Sequence, residues 1–178
     1  MILCLMQAHL ISLRKCQVPT IYIEPYTAND FETLWSFVAA IQEHERLHVP
    51  ELKEGAEIGR PYAQLLLDNV AEKQGLILVA RDGSVPVALI CAWISDDDDT
   101  LLRDDARRHA FVSDLFVADS HRRQGLAGKM LRAMEQEMSR RGCRRIRICS
   151  KATNEQAWKC YGANGYQPYE ILFSKTLD

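Results

Sequence analysis

The chain's most informative run is His109-Ala110-Phe111-Val112-Ser113-Asp114-Leu115-Phe116-Val117, followed at Arg122 by Arg122-Arg123-Gln124-Gly125-Leu126-Ala127-Gly128. The first part is apolar and β-prone, which predicts a strand. The second part predicts a turn into a helix from about Gly125 to Arg141, with Leu126, Met130, Met134 and Met138 on one face. Arg140 and Arg141 suit the negative end of that helix, and Gly142 suits its C-terminal cap. The start of a helix carries unpaired amides and the positive end of a dipole, so it attracts phosphate. Gly125 lets the main chain approach an anion without a Cβ in the way, and Arg122, Arg123 and Lys129 add positive charge. On its own, R-x-x-G-x-A also describes an ordinary strand-to-helix connection.

The surroundings of this run read as one α/β layer structure. Upstream, Thr20-Tyr26 (TIYIEPY) predicts a strand, and Thr27 with Asp30 makes a capping-box pattern. Phe31, Leu34, Trp35, Val38 and Ile41 then recur at helical spacing, predicting a helix over 30–49 that ends before Pro50. A second helix is expected over Ile58–Glu72, with Leu65 and Leu66 inward. Leu76–Ala80 and Val85–Ile94 read as strands joined at Asp82-Gly83, a hairpin signal. Ser95–Asp105, with Asp96 to Asp99, reads as a solvated loop. Downstream come a strand over Arg144–Cys149, a short helix over Asn154–Ala163 and a closing strand over Tyr166–Ser174. The order β-α-α-β-β-β-α-β-α-β implies a mixed sheet. The strand–helix–strand unit around the turn must pair its two strands in parallel.

Two motifs in this order resemble those of the GNAT superfamily of N-acetyltransferases. One is Val112-Ser113-Asp114-Leu115-Phe116-Val117 followed by Arg122-x-x-Gly125-x-Ala127. The other is Asn154 followed by Tyr161-Gly162-Ala163-Asn164-Gly165-Tyr166. The resemblance in element order runs from about residue 20 to 173, most of the chain. It implies a single-domain, mostly antiparallel mixed sheet whose two parallel central strands splay apart, flanked by helices. It implies acetyl-CoA as cosubstrate and no metal. By resemblance, Arg122, Arg123, Gln124, Gly125, Leu126, Ala127 and Gly128 hold the pyrophosphate of CoA. Leu115, Phe116 and Val117 pair with the pantetheine arm as an added strand, and Asn154 contacts that arm.

The chemistry implied is transfer of an acetyl group to a primary amine of a small molecule or peptide in a ternary complex. An alkylamine is protonated near neutrality, so its proton must be removed before attack. Tyr161 is the expected general acid toward the departing thiolate, and the amide of Phe116 or Val117 would polarise the carbonyl. Asn154, Trp158 and Tyr161 fall on one face of the short helix, and Trp158 reads as core. The base is open. Many relatives carry Glu where this chain has Ser113, and strand alternation puts Asp114 on the opposite face. The candidates for the base are then Glu43, Glu45 or a water relay, and Asp114 would help position the strand or the substrate, so Glu43, Glu45 and Asp114 form the expected acceptor site.

Other signals compete. His44-Glu45-Arg46-Leu47-His48 matches H-E-x-x-H, the helical pattern of zinc peptidases, but no third ligand stands out. A CoA-binding sensor without turnover is a further alternative. Arg140, Arg141, Arg144, Arg145 and Arg147 form a basic cluster without the interleaved aromatics of a nucleic-acid surface, and the net charge of -2 supplies no recruiting field. No nucleic-acid partner is therefore expected. The six cysteines form no C-x-x-C pair and read as reduced thiols of a cytoplasmic protein.

Residues 1–19 read as an N-terminal extension to a domain over 20–178. Their apolar part precedes Arg14 and Lys15, the reverse of a secretory signal, and is shorter than the ~20 residues that span a bilayer. It reads as a packing segment or an upstream start, with no membrane partner. Homodimers are common among the relatives the motifs resemble.

Overall fold

The computed structural model describes residues 21–98 and 100–177. The expected N-terminal extension, with Cys4 and Cys16, lies outside them. The elements run β1 (Ile21–Pro25), α1 (Phe31–Arg46), α2 (Gly55–Glu72), β2 (Leu76–Asp82), β3 (Val85–Asp96), α3 (Asp104–Arg107), β4 (Arg108–Val117), α4 (Leu126–Arg140), β5 (Ile146–Ile148) and α5 (Glu155–Ala163). The five strands form one sheet in chain order. β1 to β4 are antiparallel neighbours, and β5 pairs β4 in parallel. The expected α/β class and mixed sheet are thus present.

Each face of the sheet is covered by helices. Leu34, Val38, Ala63 and Leu66 of α1 and α2 pack on Val79, Leu89 and Cys91. On the other face Met130, Leu131, Met134 and Met138 of α4 pack on Ile90, Ala92 and Val112. The methionine stripe is buried throughout, as its spacing requires. Met138 O accepts the amide of Cys143 at 3.0 Å, closing the helix end at Gly142.

Several expectations need correction. The Thr27–Asp30 pattern caps a 3-10 turn (Ala28–Asp30) that leads into α1, not α1 itself. Asp30 Oδ2 accepts from the amide and the hydroxyl of Thr27, each at 2.9 Å. Its other oxygen pairs with Arg81. Leu65 is 51% exposed while Leu66 is buried, because adjacent helical residues stand about 100° apart and only one can face the sheet. β3 runs through Asp96, and Asp104 opens the short α3, so the acidic loop is shorter than expected. Asp97 Oδ2 lies 2.8 Å from Arg147 Nη1, and Arg141 donates to the carbonyls of Gln74 and Gly75 at 3.0 Å. These arginines are occupied within the fold.

The largest departure is at the end of the chain. Residues 166–177 form no strand, and Ile171, Leu172 and Phe173 are exposed. β5 is only three residues long, so it offers little ladder for a neighbour to pair with. Among the described residues, no helix is long and apolar enough to cross a membrane.

Candidate active site

β4 and β5 pair only at Ala110↔Ile146, Phe111↔Arg147 and Val112↔Ile148. Past Val112 the strands part, and β4 runs on to Val117 without β5 beside it. This is the expected splay. A cleft of about 560 Å³ opens there. Its walls are the end of β4, the turn into α4, the end of β5, the length of α5 and the C-terminal half of α1.

The turn has the geometry of an anion cradle. Arg123 and Gly125 both lie in the left-handed region, at φ 60° and 77°. Such positive-φ residues turn successive amides toward a common side. Lys129 makes the first main-chain bond of α4, to the carbonyl of Gly125 at 3.1 Å. Among the described residues, no main-chain carbonyl accepts from the amides of Arg123 to Gly128. A Cβ on Gly128 would lie 2.6 Å from Asn164 Oδ1, so a glycine there lets α5 approach the turn. Arg122, Arg123, Gly125, Leu126, Ala127 and Gly128 all line the cleft. Gln124 does not; its side chain donates to the carbonyl of Ser120 at 2.9 Å.

β4 supplies the facing wall through Leu115, Phe116 and Val117. The amide of Ala118 donates to Val87 of β3 at 2.8 Å. The two-residue repeat then directs the Phe116 amide toward β3 as well, and the amides of Leu115 and Val117 into the splay. Of the two amides considered for the carbonyl, only Val117's faces the opening. Arg122 Nε donates to the Val117 carbonyl at 2.9 Å, joining the turn to the strand end.

α5 brings Asn154 and Tyr161 to the cleft together. Asn154 Oδ1 caps α5 by accepting the amide of Ala157 at 3.0 Å, which leaves its Nδ2 as the group that can donate into the cleft. Burial pushes the Tyr161 phenol well above its ordinary range, aided by Cys160, Glu45 and Cys149. Trp158 is 52% exposed and is not core, because α5 is short and only its Tyr161 and Cys160 edge packs inward.

The acceptor-side carboxylates separate. Glu45 lines the cleft, and its Oε2 lies 3.4 Å from Lys151 Nζ. Glu43 does not line it. It accepts the amide of Gly55 and an Arg46 N–H, at the junction of α1 and α2. Asp114 lines the cleft, and so does Ser113. Strand alternation would put them on opposite faces, but β4 is bulged here. Cys91 pairs with Asp114 and Ala92 with Val112, so Ser113 is the extra residue. Both consecutive side chains therefore face α1 and α2. The bulge thus overrides the alternation expected from the sequence.

His44 and His48 stand edge to face at 5.3 Å between ring centres. His48 Nδ1 is 2.8 Å from Thr153 Oγ1, and burial with the neighbouring His48 and Arg122 holds His44 below its usual range. Among the described residues, no group of three or more His, Cys, Asp or Glu side chains is placed to hold a metal ion. The zinc-peptidase pattern thus lacks its third ligand there.

The profile of the Acetyltransferase (GNAT) family matches residues 37–166, which contain every wall of the cleft. The chain belongs to the GNAT acetyltransferase family. Enzymes of this family use acetyl-CoA as cosubstrate. No protein of curated function matches the chain in sequence.

Among solved structures, the chain is similar to a GCN5-related N-acetyltransferase from Ralstonia eutropha, at 18% identity and TM-score 0.67. The match covers 88% of this chain and 99% of that one. It is also similar to an aminoglycoside 6'-N-acetyltransferase from Acinetobacter haemolyticus, at 20% identity and TM-score 0.64, over 88% and 99% of the two chains. A predicted acetyltransferase from Clostridium acetobutylicum, solved with acetyl-CoA, matches at 15% identity and TM-score 0.69, over 88% and 96%. At these identities the likeness is one of fold.

Proposed function

We propose that this GNAT protein transfers the acetyl group of acetyl-CoA to a primary amine of a small molecule or peptide, by direct attack in a ternary complex. The observation that carries this reading is the meeting in one cleft of the phosphate turn, the open edge of β4 and Tyr161. The pyrophosphate lies on the amides of Arg123 to Gly128, where the dipole of α4 and Arg122 favour it. The pantetheine arm runs along Leu115 to Val117 as an added strand, with Asn154 Nδ2 donating to it. The Val117 amide polarises the thioester carbonyl as negative charge gathers on its oxygen.

Tyr161 hands its proton to the departing thiolate. Burial keeps the phenol protonated, and the same burial raises the basicity of the thiolate, so donor and acceptor remain matched. Glu45 and Asp114 make the amine side of the cleft acidic, which suits a cationic acceptor. Similarity to aminoglycoside acetyltransferases supports a small polar amine as that acceptor. The carboxylate that Asp114 places in the cleft also weakens the reading as a sensor without turnover.

The test is incubation with acetyl-CoA and a set of primary amines: kanamycin, spermidine, lysine and triglycine. Thiol release dependent on one amine, with the mass of one acetyl group added to it, is expected. Tight CoA binding with no amine acetylated would return the protein to the sensor reading.

A further inference from the structure

Tyr62 on α2 carries none of the motifs that identify the site and does not itself line the cleft, yet it reaches the cleft wall through Asp114. Its hydroxyl lies 3.5 Å from Asp114 Oδ2, a long contact of hydrogen-bonding range. Its ring packs against the buried cluster of α1, α2 and β3. The β4 bulge brings Asp114 round to meet it.

We propose that Tyr62 is a positioning residue that holds Asp114 in the acceptor cleft, and that Asp114, so held, is the base that takes the proton of the incoming ammonium. The inference rests on the acyl-transfer reading above and adds the group that reading left unassigned.

The groups around Asp114 come from every neighbouring element. Tyr62 faces it from α2, Glu45 from α1, Cys91 from β3, and Ser113 from β4 itself. Burial is the main force on its carboxyl and pushes it up to about 6. Ser113 pulls the other way, Glu45 adds to the rise, and Tyr62 opposes it. Burial also pushes the Cys91 thiol up to about 12, so Cys91 stays neutral beside it. A carboxyl poised near 6 is ionised at neutral pH and is a stronger base than an ordinary carboxylate near ~4. Glu45 is less suited, since it is tied to Lys151.

The step balances. The Asp114 carboxylate takes one proton from the ammonium, and the freed amine attacks the thioester carbon. The C–N bond forms and the C–S bond breaks. Tyr161 protonates the thiolate. The second proton lost by the nitrogen restores the Tyr161 hydroxyl through solvent. Asp114 returns its proton to solvent, the one proton released overall. Tyr62 gives and takes none.

The experiment measures kcat/KM against pH on whichever amine of kanamycin, spermidine, lysine and triglycine is acetylated fastest, with CoA affinity by calorimetry. The wild-type rate is expected to fall away on the acid side near pH 6. Tyr62→Phe keeps the packed ring and removes only the hydroxyl that favours the ionised carboxyl. Its acid limb should move to higher pH, with CoA affinity unchanged. Asp114→Asn should lose about a hundredfold or more in kcat at every pH, with CoA still bound. Coincident acid limbs for Tyr62→Phe and wild type, or an Asp114→Asn protein turning over at the wild-type rate, would overturn this inference alone. Failure of the wild type to acetylate any of the amines would overturn the acyl-transfer reading, and this inference with it.

Discussion

Lys151 Nζ lies 3.4 Å from Glu45 Oε2, which ties the loop before α5 to the α1 wall of the cleft, the side on which the acceptor is proposed to bind. Both side chains are about one-third exposed, so water weakens the pair without abolishing it. A cationic acceptor must share or displace that lysine to reach Glu45. Lys151→Met is expected to lower the KM of a cationic amine by roughly two- to fivefold with kcat unchanged. Steady-state kinetics on the amine identified above checks it. A raised KM would mean that the lysine contacts the acceptor favourably.

Gly125 tests the phosphate turn. A Cβ there meets no atom within 4 Å, so any cost of Gly125→Ala comes from its φ of 77° and from crowding an anion. The backbone cost is about 1–2 kcal/mol, small enough for the chain to fold. CoA affinity measured by calorimetry should fall at least tenfold while thermal unfolding shifts by a few degrees only. Equal CoA affinity in the two proteins would remove the pyrophosphate from this turn.

Tyr161→Phe removes only an oxygen. If Tyr161 protonates the thiolate, kcat should drop by about 10²- to 10⁴-fold while CoA binding persists. Unchanged kcat at all pH values would end its assignment as the acid.

Asp30 gives a stability test away from the chemistry. Burial alone would raise its carboxyl, but the Thr27 amide, Arg81 and the Thr27 hydroxyl together hold it below the usual carboxylate range. A lowered folded value stabilises the protein above the unfolded value of ~3.9 and is lost as pH falls through the folded one. Asp30→Asn should therefore cost about 3 kcal/mol in urea unfolding at pH 7. The gap should narrow as pH drops below ~4. A constant difference down to pH 2 would contradict the linkage.

The half of the candidate site built from the turn and α5 was legible because it is local. Arg122 to Gly128 form a turn of consecutive residues in which Arg123 and Gly125 take positive φ, the geometry on which the proposed phosphate site rests. Asn154 and Tyr161 lie on one short helix, so their common face follows from spacing. The acceptor half was not legible, because it is assembled from α1, α2 and the β4 bulge. Tyr62 and Asp114 are 52 residues apart and meet through packing. Trp158 is exposed despite its hydrophobicity, because little of a nine-residue helix is covered by its neighbours.

The class of the fold, the methionine face of α4, the turn into that helix and the order of the motifs are all readable along the chain. Each depends on periodicity or on a few consecutive residues. Tertiary structure alone decided which carboxylate enters the cleft. A one-residue bulge opposite Cys91 and Ala92 cancels the alternation of β4 and carries Asp114 to the same face as Ser113. Strand periodicity cannot reveal a bulge, since the extra residue exists only relative to the partner strand. Residues 166–177 likewise keep an apolar, strand-like sequence, yet they form no strand beside the three-residue β5.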